Sequence, residues 1–279
     1  MRLRSLLFVP GDRPDRMEKA LSYGADALIL DLEDSVTLDA KPEARQATAN
    51  FLRQARGRIP LLVRVNPLDS GLLDDDLAAI LDAPPEGLVL PKAEGASSVE
   101  ALSTKAADIP ILPIATETPA AIFQLGSYAS VRHHLLGLTW GAEDLPAAIG
   151  AIGARDETGH YTAPYELARS LTLFGAHAAS VAAIETVFPA LADAAGLAAY
   201  ARRARFDGFN GMMAIHPAQV PIINEAFTPT LQEMAQARAI VDAFAANPGR
   251  GTIAFAGRML DAPHLKQARR LLEAAGENP

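Results

Sequence analysis

"ADALILDLEDSV", residues 25–36, decides how this chain is read. The run Ala27-Leu28-Ile29-Leu30 is apolar at every position, so it has no face to offer solvent. That pattern suits a strand of a parallel sheet, covered on both sides, better than the alternating strand of a half-exposed sheet. The run then meets Asp31, Glu33 and Asp34. A buried strand that leads directly into three carboxylates must emerge where those charges are solvated or used.

Working outward, the same design repeats. Short apolar runs fall at 5–9, 27–31, 61–65, 87–91, 111–115, 135–140, 179–185 and 211–215. Amphipathic stretches separate them. "PDRMEKALSYG" (14–24) has Asp12 and Pro14 near its start and Gly24 at its end, the start and stop signals of a helix. Alternating strand and helix predicts an α/β fold with a parallel sheet. Eight runs predict a (β/α)8 TIM barrel, a fold that usually takes about 250 residues. A doubly wound open sheet would want a glycine-rich fingerprint after its first strand, and "VPGDRPDR" is not one. The barrel is expected over residues 1–225. Residues 226–279 read as a C-terminal helical extension, a lid or a contact to a neighbouring subunit. Two helix-like segments there flank the Gly-rich apolar insert "GRGTIAFAGRMLD" (249–261).

Composition narrows the function classes. The chain has 279 residues, a net charge of −8 and an apolar fraction of 49%, enough for a large core. The acidic balance argues against nucleic acid and anionic membranes as partners. There is no cysteine, which excludes disulfide and thiolate chemistry and fits a reducing cytoplasm. The N-terminal apolar run is shorter than the roughly 7–15 residues of a signal sequence. No stretch approaches the roughly 20 apolar residues of a membrane span.

A barrel carries its chemistry on the loops after its strands. Those positions hold Arg13, then Asp31, Glu33 and Asp34, then Arg64 and Asn66, then Lys92, Glu117, Glu143 with Asp144, Glu185, and His216. Each has a plain alternative. Asp31 and Glu143 can cap helices, Lys92 can be a solvated loop charge, and His216 before Pro217 can be a structural hydrogen-bonder. Together, acids from strands two, five and six facing Arg64 make an oxygen-rich site with one guanidinium. Hard oxygen donors favour magnesium over zinc. A planar guanidinium suits a carboxylate. The residues themselves therefore point to a magnesium site for a small carboxylate-bearing substrate.

The segments "RSLLFVPGDRPDRMEKA", "GADALILDLEDSV", "LLVRVNP", "PIATETPAAI", "LTWGAEDL" and "GMMAIHPAQV" together resemble the citrate lyase beta-subunit-like family. That family lies within an aldolase superfamily acting on pyruvate-like compounds. The resemblance implies a TIM barrel, Mg2+, a homo-oligomer (trimer or hexamer) and cleavage of a 3-hydroxyacyl thioester. It places metal carboxylates at Glu117 and Asp144 and the substrate-carboxylate arginine at Arg64. Glu33 and Asp34 become outer partners of metal-bound water, and Arg13 a residue of the mouth. The C-terminal "GRMLDAPHLKQA" resembles the segment carrying a further aspartate in malyl- and citramalyl-CoA lyase relatives, here Asp261. One departure stands out: Met212 occupies a position where many relatives have a basic residue.

The implied reaction is a retro-Claisen cleavage to a 2-oxo acid and acetyl-CoA, with backbone N–H groups at Gly141 and Ala142 as oxyanion donors. Three readings compete. The first is a free-standing citramalyl-CoA or malyl-CoA type lyase. The second is a citrate lyase beta subunit working on a thioester held by an acyl carrier subunit. The third is a malyl-CoA-type thioester hydrolase. The retained "GRMLDAPH" segment favours the first.

Overall fold

The computed structural model describes residues 1–106 and 109–277. The strands are β1 (Ser5–Pro10), β2 (Ala27–Asp31), β3 (Leu61–Arg64), β4 (Gly87–Leu90), β5 (Ile111–Pro113), β6 (Gly137–Thr139), β7 (Ala182–Glu185), β8 (Gly211–Ala214), β9 (Thr252–Phe255) and β10 (Arg258–Asp261). The helices are α1 (Pro14–Ala20), α2 (Lys41–Ala55), α3 (Leu73–Ile80), α4 (Ala96–Lys105), α5 (Pro119–Ile122), α6 (Asp144–Ile149), α7 (Ala163–Ala179), α8 (Ala194–Asp207), α9 (Gln219–Ala226), α10 (Leu231–Ala245) and α11 (Ala262–Ala274).

The first eight strands form one sheet in the order β5-β4-β3-β2-β1-β8-β7-β6, and every paired neighbour is parallel. The two ends of that order meet through parallel bridges, Ile111 to Leu135 and Ile114 to Thr139. Helices separate successive strands, as parallel pairing requires. The fold is the α/β TIM-type barrel that the apolar runs predict.

Strand parity decides what faces inward, because successive side chains alternate. Leu6, Ala27, Ile29, Leu62, Val89, Leu112, Ile114, Ile184 and Met213 pack into one buried cluster. The same alternation, carried two residues further on β2 and β3, brings Asp31 and Arg64 to the top of that interior. The chain divides into two compact units, Met1–Asn224 and the segment from Glu225 onward.

Within the second unit, α10 and α11 bury Ala237, Ala268 and Leu272 against each other. A Thr230–Glu233 capping box starts α10. The insert read only as Gly-rich and apolar is an antiparallel hairpin, β9 with β10. Its turn holds Ala256 at φ 47° and Gly257 at φ 76°, the left-handed pair of a type I′ hairpin. Among the described residues, no helix is long and apolar enough to cross a membrane.

Candidate active site

The carboxylates of the β2–α2 loop are held by a dense set of bonds. Asp31, buried, accepts from the N–H groups of Glu33 (2.9 Å) and Ser35 (3.1 Å). Lys41, at the start of α2, donates its ammonium to the carbonyls of Leu32 and Glu33 at 2.7 and 2.9 Å. The loop after β2 is thus fixed from both sides.

Arg64 crosses from β3 and grips Asp31 with Nε and Nη2, both at 2.7 Å. Its Nη1 lies 2.8 Å from Glu33 Oε2. Nη1 also lies 3.8 Å from Asp34 Oδ2, and Asp31 takes two of the about five N–H donors of the guanidinium by hydrogen bonds. Its carbon also sits 4.9 Å from the centre of the Phe8 ring, a cation–π contact that supports it from below. Burial alone would raise the Asp31 carboxyl; the bonds and charge of Arg64 outweigh it and hold it below the usual range.

Lys92 and Glu117 complete the centre. Lys92 Nζ pairs with Glu33 Oε1 at 3.2 Å, and the Lys92 N–H donates to Glu117 Oε2 at 2.5 Å. Lys92 has φ 52°, a left-handed conformation that costs a non-glycine residue roughly 1–2 kcal/mol. Burial pushes the Glu117 carboxyl up to about 8, against the Lys92 N–H bond, and the charges of Glu33 and Asp144 push the same way. Burial and Asp34 likewise raise Glu33, against Arg64 and Lys92. A Cβ on Gly141 would lie 2.6 Å from Glu117 Cγ and 3.1 Å from its Oε1. Only glycine leaves room there for the Glu117 side chain.

These groups open onto a cavity of about 780 Å³. Asp31, Asp34, Arg64, Glu117, Gly141, Ala142, Glu143, Asp144 and His216 line it. Acids outnumber bases at this centre: Asp31, Glu33, Asp34, Glu117 and Asp144 face Arg64 and Lys92. Burial first, and then the neighbouring acids, disfavour charge on Glu117, so a cation beside these acids would be welcome. Oxygen donors short of positive charge suit a hard divalent cation. Among the described residues, no three His, Cys, Asp or Glu side chains are grouped closely enough to enclose a metal by themselves. A cation held by Glu117 and Asp144 would therefore take its other ligands from substrate and water, the usual habit of magnesium.

Several sequence expectations fall elsewhere. Glu185 points away from the mouth, because Ile184 before it faces the interior. Its carboxylate accepts from the Trp140 indole N–H, from Tyr200 Oη at 2.8 Å and from Arg169 Nε at 2.7 Å. Asn66 is buried against Asp76 and the Leu32 carbonyl, at 2.7 and 3.0 Å. Arg13 precedes α1 and pairs with Asp15 at 3.3 Å, outside the cavity wall. The charged residues of α1 that do line the cavity are Asp15, Arg16 and Lys19, which the sequence reading did not single out. The Gly141 N–H already donates to Thr116 Oγ1 at 3.1 Å, so it is engaged within the protein. Asp261 belongs to the second unit, where it caps α11 and lies 2.5 Å from His264 Nδ1.

The model of the HpcH/HpaI aldolase/citrate lyase family matches residues 4–217. The chain belongs to this family. The match covers every strand of the barrel and all the cavity acids named above. A citrate lyase subunit beta-like protein of Deinococcus radiodurans is 36% identical, over 97% of this chain and 96% of the relative. A (3S)-malyl-CoA thioesterase of Cereibacter sphaeroides is 32% identical, over 98% and 94%. Among solved structures, CitE of Mycobacterium tuberculosis in complex with magnesium, acetoacetate and coenzyme A superposes with a TM-score of 0.85. It shares 32% identity and is covered, like this chain, over 99%. This family member thus resembles proteins named both as lyase subunits and as a thioesterase.

Proposed function

We propose that this protein is a magnesium-dependent carbon–carbon lyase that cleaves a 3-hydroxyacyl-CoA thioester, of citramalyl-CoA or malyl-CoA type, to a 2-oxo acid and acetyl-CoA. The observation that carries the reading is the cavity itself, which Glu117, Asp144 and Arg64 line together. The likeness to CitE bound to magnesium, acetoacetate and coenzyme A supports it.

Glu117 and Asp144 would hold the magnesium ion. When bound, the ion supplies Lewis-acid stabilisation of negative charge on the substrate's hydroxyl and carboxylate oxygens. Arg64 orients the carboxylate with its remaining N–H donors and is itself fixed by Asp31 and Glu33. Glu33 and Asp34 would hold water at the edge of the site. In the reaction the hydroxyl passes its proton to a carboxylate of the cavity wall and becomes the carbonyl of the oxo acid. The carbon–carbon bond breaks, its electron pair passes to the thioester enolate, and an acid returns a proton to that carbon. We assign that proton to Asp261, from a neighbouring copy in a trimer or hexamer. Ala142 and the first turn of α6 offer backbone donors to the oxyanion. Arg16 and Lys19 on α1 give the cavity a cationic wall that suits the phosphates of coenzyme A. A CoA-ester substrate fits a cytoplasmic setting.

A second reading has its own support in the thioesterase relative: the same site would direct water at the thioester of a malyl-CoA-type substrate. A citrate lyase beta subunit acting on a carrier-bound thioester is the third. One assay separates them. The purified chain is incubated with magnesium and citramalyl-CoA or malyl-CoA, and products are identified by mass spectrometry. Acetyl-CoA with an oxo acid supports the lyase. Free coenzyme A with the intact hydroxy acid supports the hydrolase. Inertness toward both esters, with turnover of a carrier-bound citryl thioester, supports the subunit.

A further inference from the structure

Three non-glycine residues among those described have a left-handed backbone: Lys92, Ser180 and Ala256. Two have ordinary reasons. Ser180 closes the C-terminus of α7, and Ala256 turns the β9–β10 hairpin. Lys92 does neither. It stands in the loop between β4 and α4, where a glycine would remove the strain.

Its surroundings supply the reason. The left-handed turn aims the Lys92 N–H at Glu117 Oε2, 2.5 Å away. The Glu117 side chain also fills the space a Cβ on Gly141 would take, 2.6 Å from its Cγ. Oε2 is committed to the Lys92 backbone N–H. The lysine side chain meanwhile reaches Glu33 Oε1 at 3.2 Å, and Glu33 reaches Arg64 at 2.8 Å. A glycine would aim the same N–H but leave Glu33 one partner fewer.

We infer that Lys92 is a positioning residue for the metal carboxylate. Its strained backbone aims the N–H that fixes the Glu117 carboxylate. The inference rests on the magnesium reading of Glu117, and it adds a role for a residue that touches neither metal nor substrate.

The test compares Lys92→Gly, Lys92→Asn and Lys92→Val, each titrated with magnesium chloride by calorimetry. All three lose the ammonium, so charge is constant across the set. Glycine and asparagine tolerate the left-handed region, and a β-branched valine does not. The Gly and Asn variants should bind magnesium at least as tightly as the parent, having lost a nearby positive charge. The Val variant should bind about tenfold more weakly than Asn. Equal affinities for Val and Asn overturn the inference. A second readout needs no metal. The residue-92 amide proton, shifted downfield by its bond to a carboxylate, should keep that shift in Gly and Asn and lose it in Val. If the parent takes up no magnesium, the metal reading fails, and the amide shift still decides the role of Lys92. Should Val fail to fold, Lys92→Ala carries the comparison, with magnesium binding weaker than Asn by about threefold; equality of Ala and Asn overturns the inference.

Discussion

Glu117 pays for its position in the metal-free protein. Folding raises its carboxyl from an ordinary value of 4.5 to about 8. The folded chain therefore keeps a proton that the unfolded chain releases. The contribution of this one group to stability is fully present below about pH 4.5, is lost as pH rises through the window to about 8, and stays lost above it. Glu117→Gln removes that dependence. In the metal-free state at pH 8.5 it should be more stable than the parent by on the order of 5 kcal/mol, with the gap closing near pH 4.5. Thermal melts at the two pH values measure this. Activity should be lost in the same variant, and equally in Asp144→Asn, whose near-ultraviolet circular dichroism should remain native. Arg64→Lys should weaken pyruvate binding about tenfold by calorimetry, since one ammonium cannot serve Asp31, Glu33 and a ligand together. Unchanged affinity would leave Arg64 as a support for Asp31 alone. At this scale the sequence was partly legible. Placing the acids at strand ends brought Glu117, Asp144 and Arg64 to one cavity. It misplaced Glu185, because parity along β7, set by Ile184, turns that side chain outward. It named Lys92 after the fourth strand but gave no sign of its left-handed backbone, since a backbone angle leaves no trace in residue type.

Each of the eight apolar runs yields a strand, because runs buried on both faces have few other places to go. The hairpin of β9 and β10 was less legible. Its turn is Ala256-Gly257, without the Asn-Gly or Asp-Gly pair that signals a type I′ turn from sequence. Helix α1 was read correctly as a helix, but the residue expected at the mouth, Arg13, lies just ahead of it. The first turns of the helix instead carry Arg16 and Lys19 to the cavity. Replacing both with alanine should raise KM for a CoA ester about tenfold, leave kcat within about twofold, and make KM less sensitive to salt. Steady-state kinetics at two salt concentrations check this. A KM that does not move would exclude α1 from binding the CoA portion.

The whole molecule is two units, and the proposed chemistry draws on both. If Asp261 serves the site of a neighbouring copy, an inactive Asp144→Asn chain and an inactive Asp261→Asn chain should restore part of the activity when assembled together. Mixed oligomers verified by native mass spectrometry make the test decisive. No recovery would reject a shared site, and a fully active Asp261→Asn chain would leave that residue as the cap of α11. Such sharing was legible only through the family resemblance, since nothing in a single chain's periodicity tells which copy an appendage serves. One feature of the barrel wall extends these measurements. Trp140 is the single tryptophan of the chain, fully buried, bonded to Glu185 and adjacent to Gly141. Its emission is therefore an optical signal from one known place, beside the loop that carries Asp144. Filling the site should change its intensity, and unfolding should shift it to the red as water reaches the indole. A fluorimeter can thus follow occupancy and stability together in every variant above, without an added label.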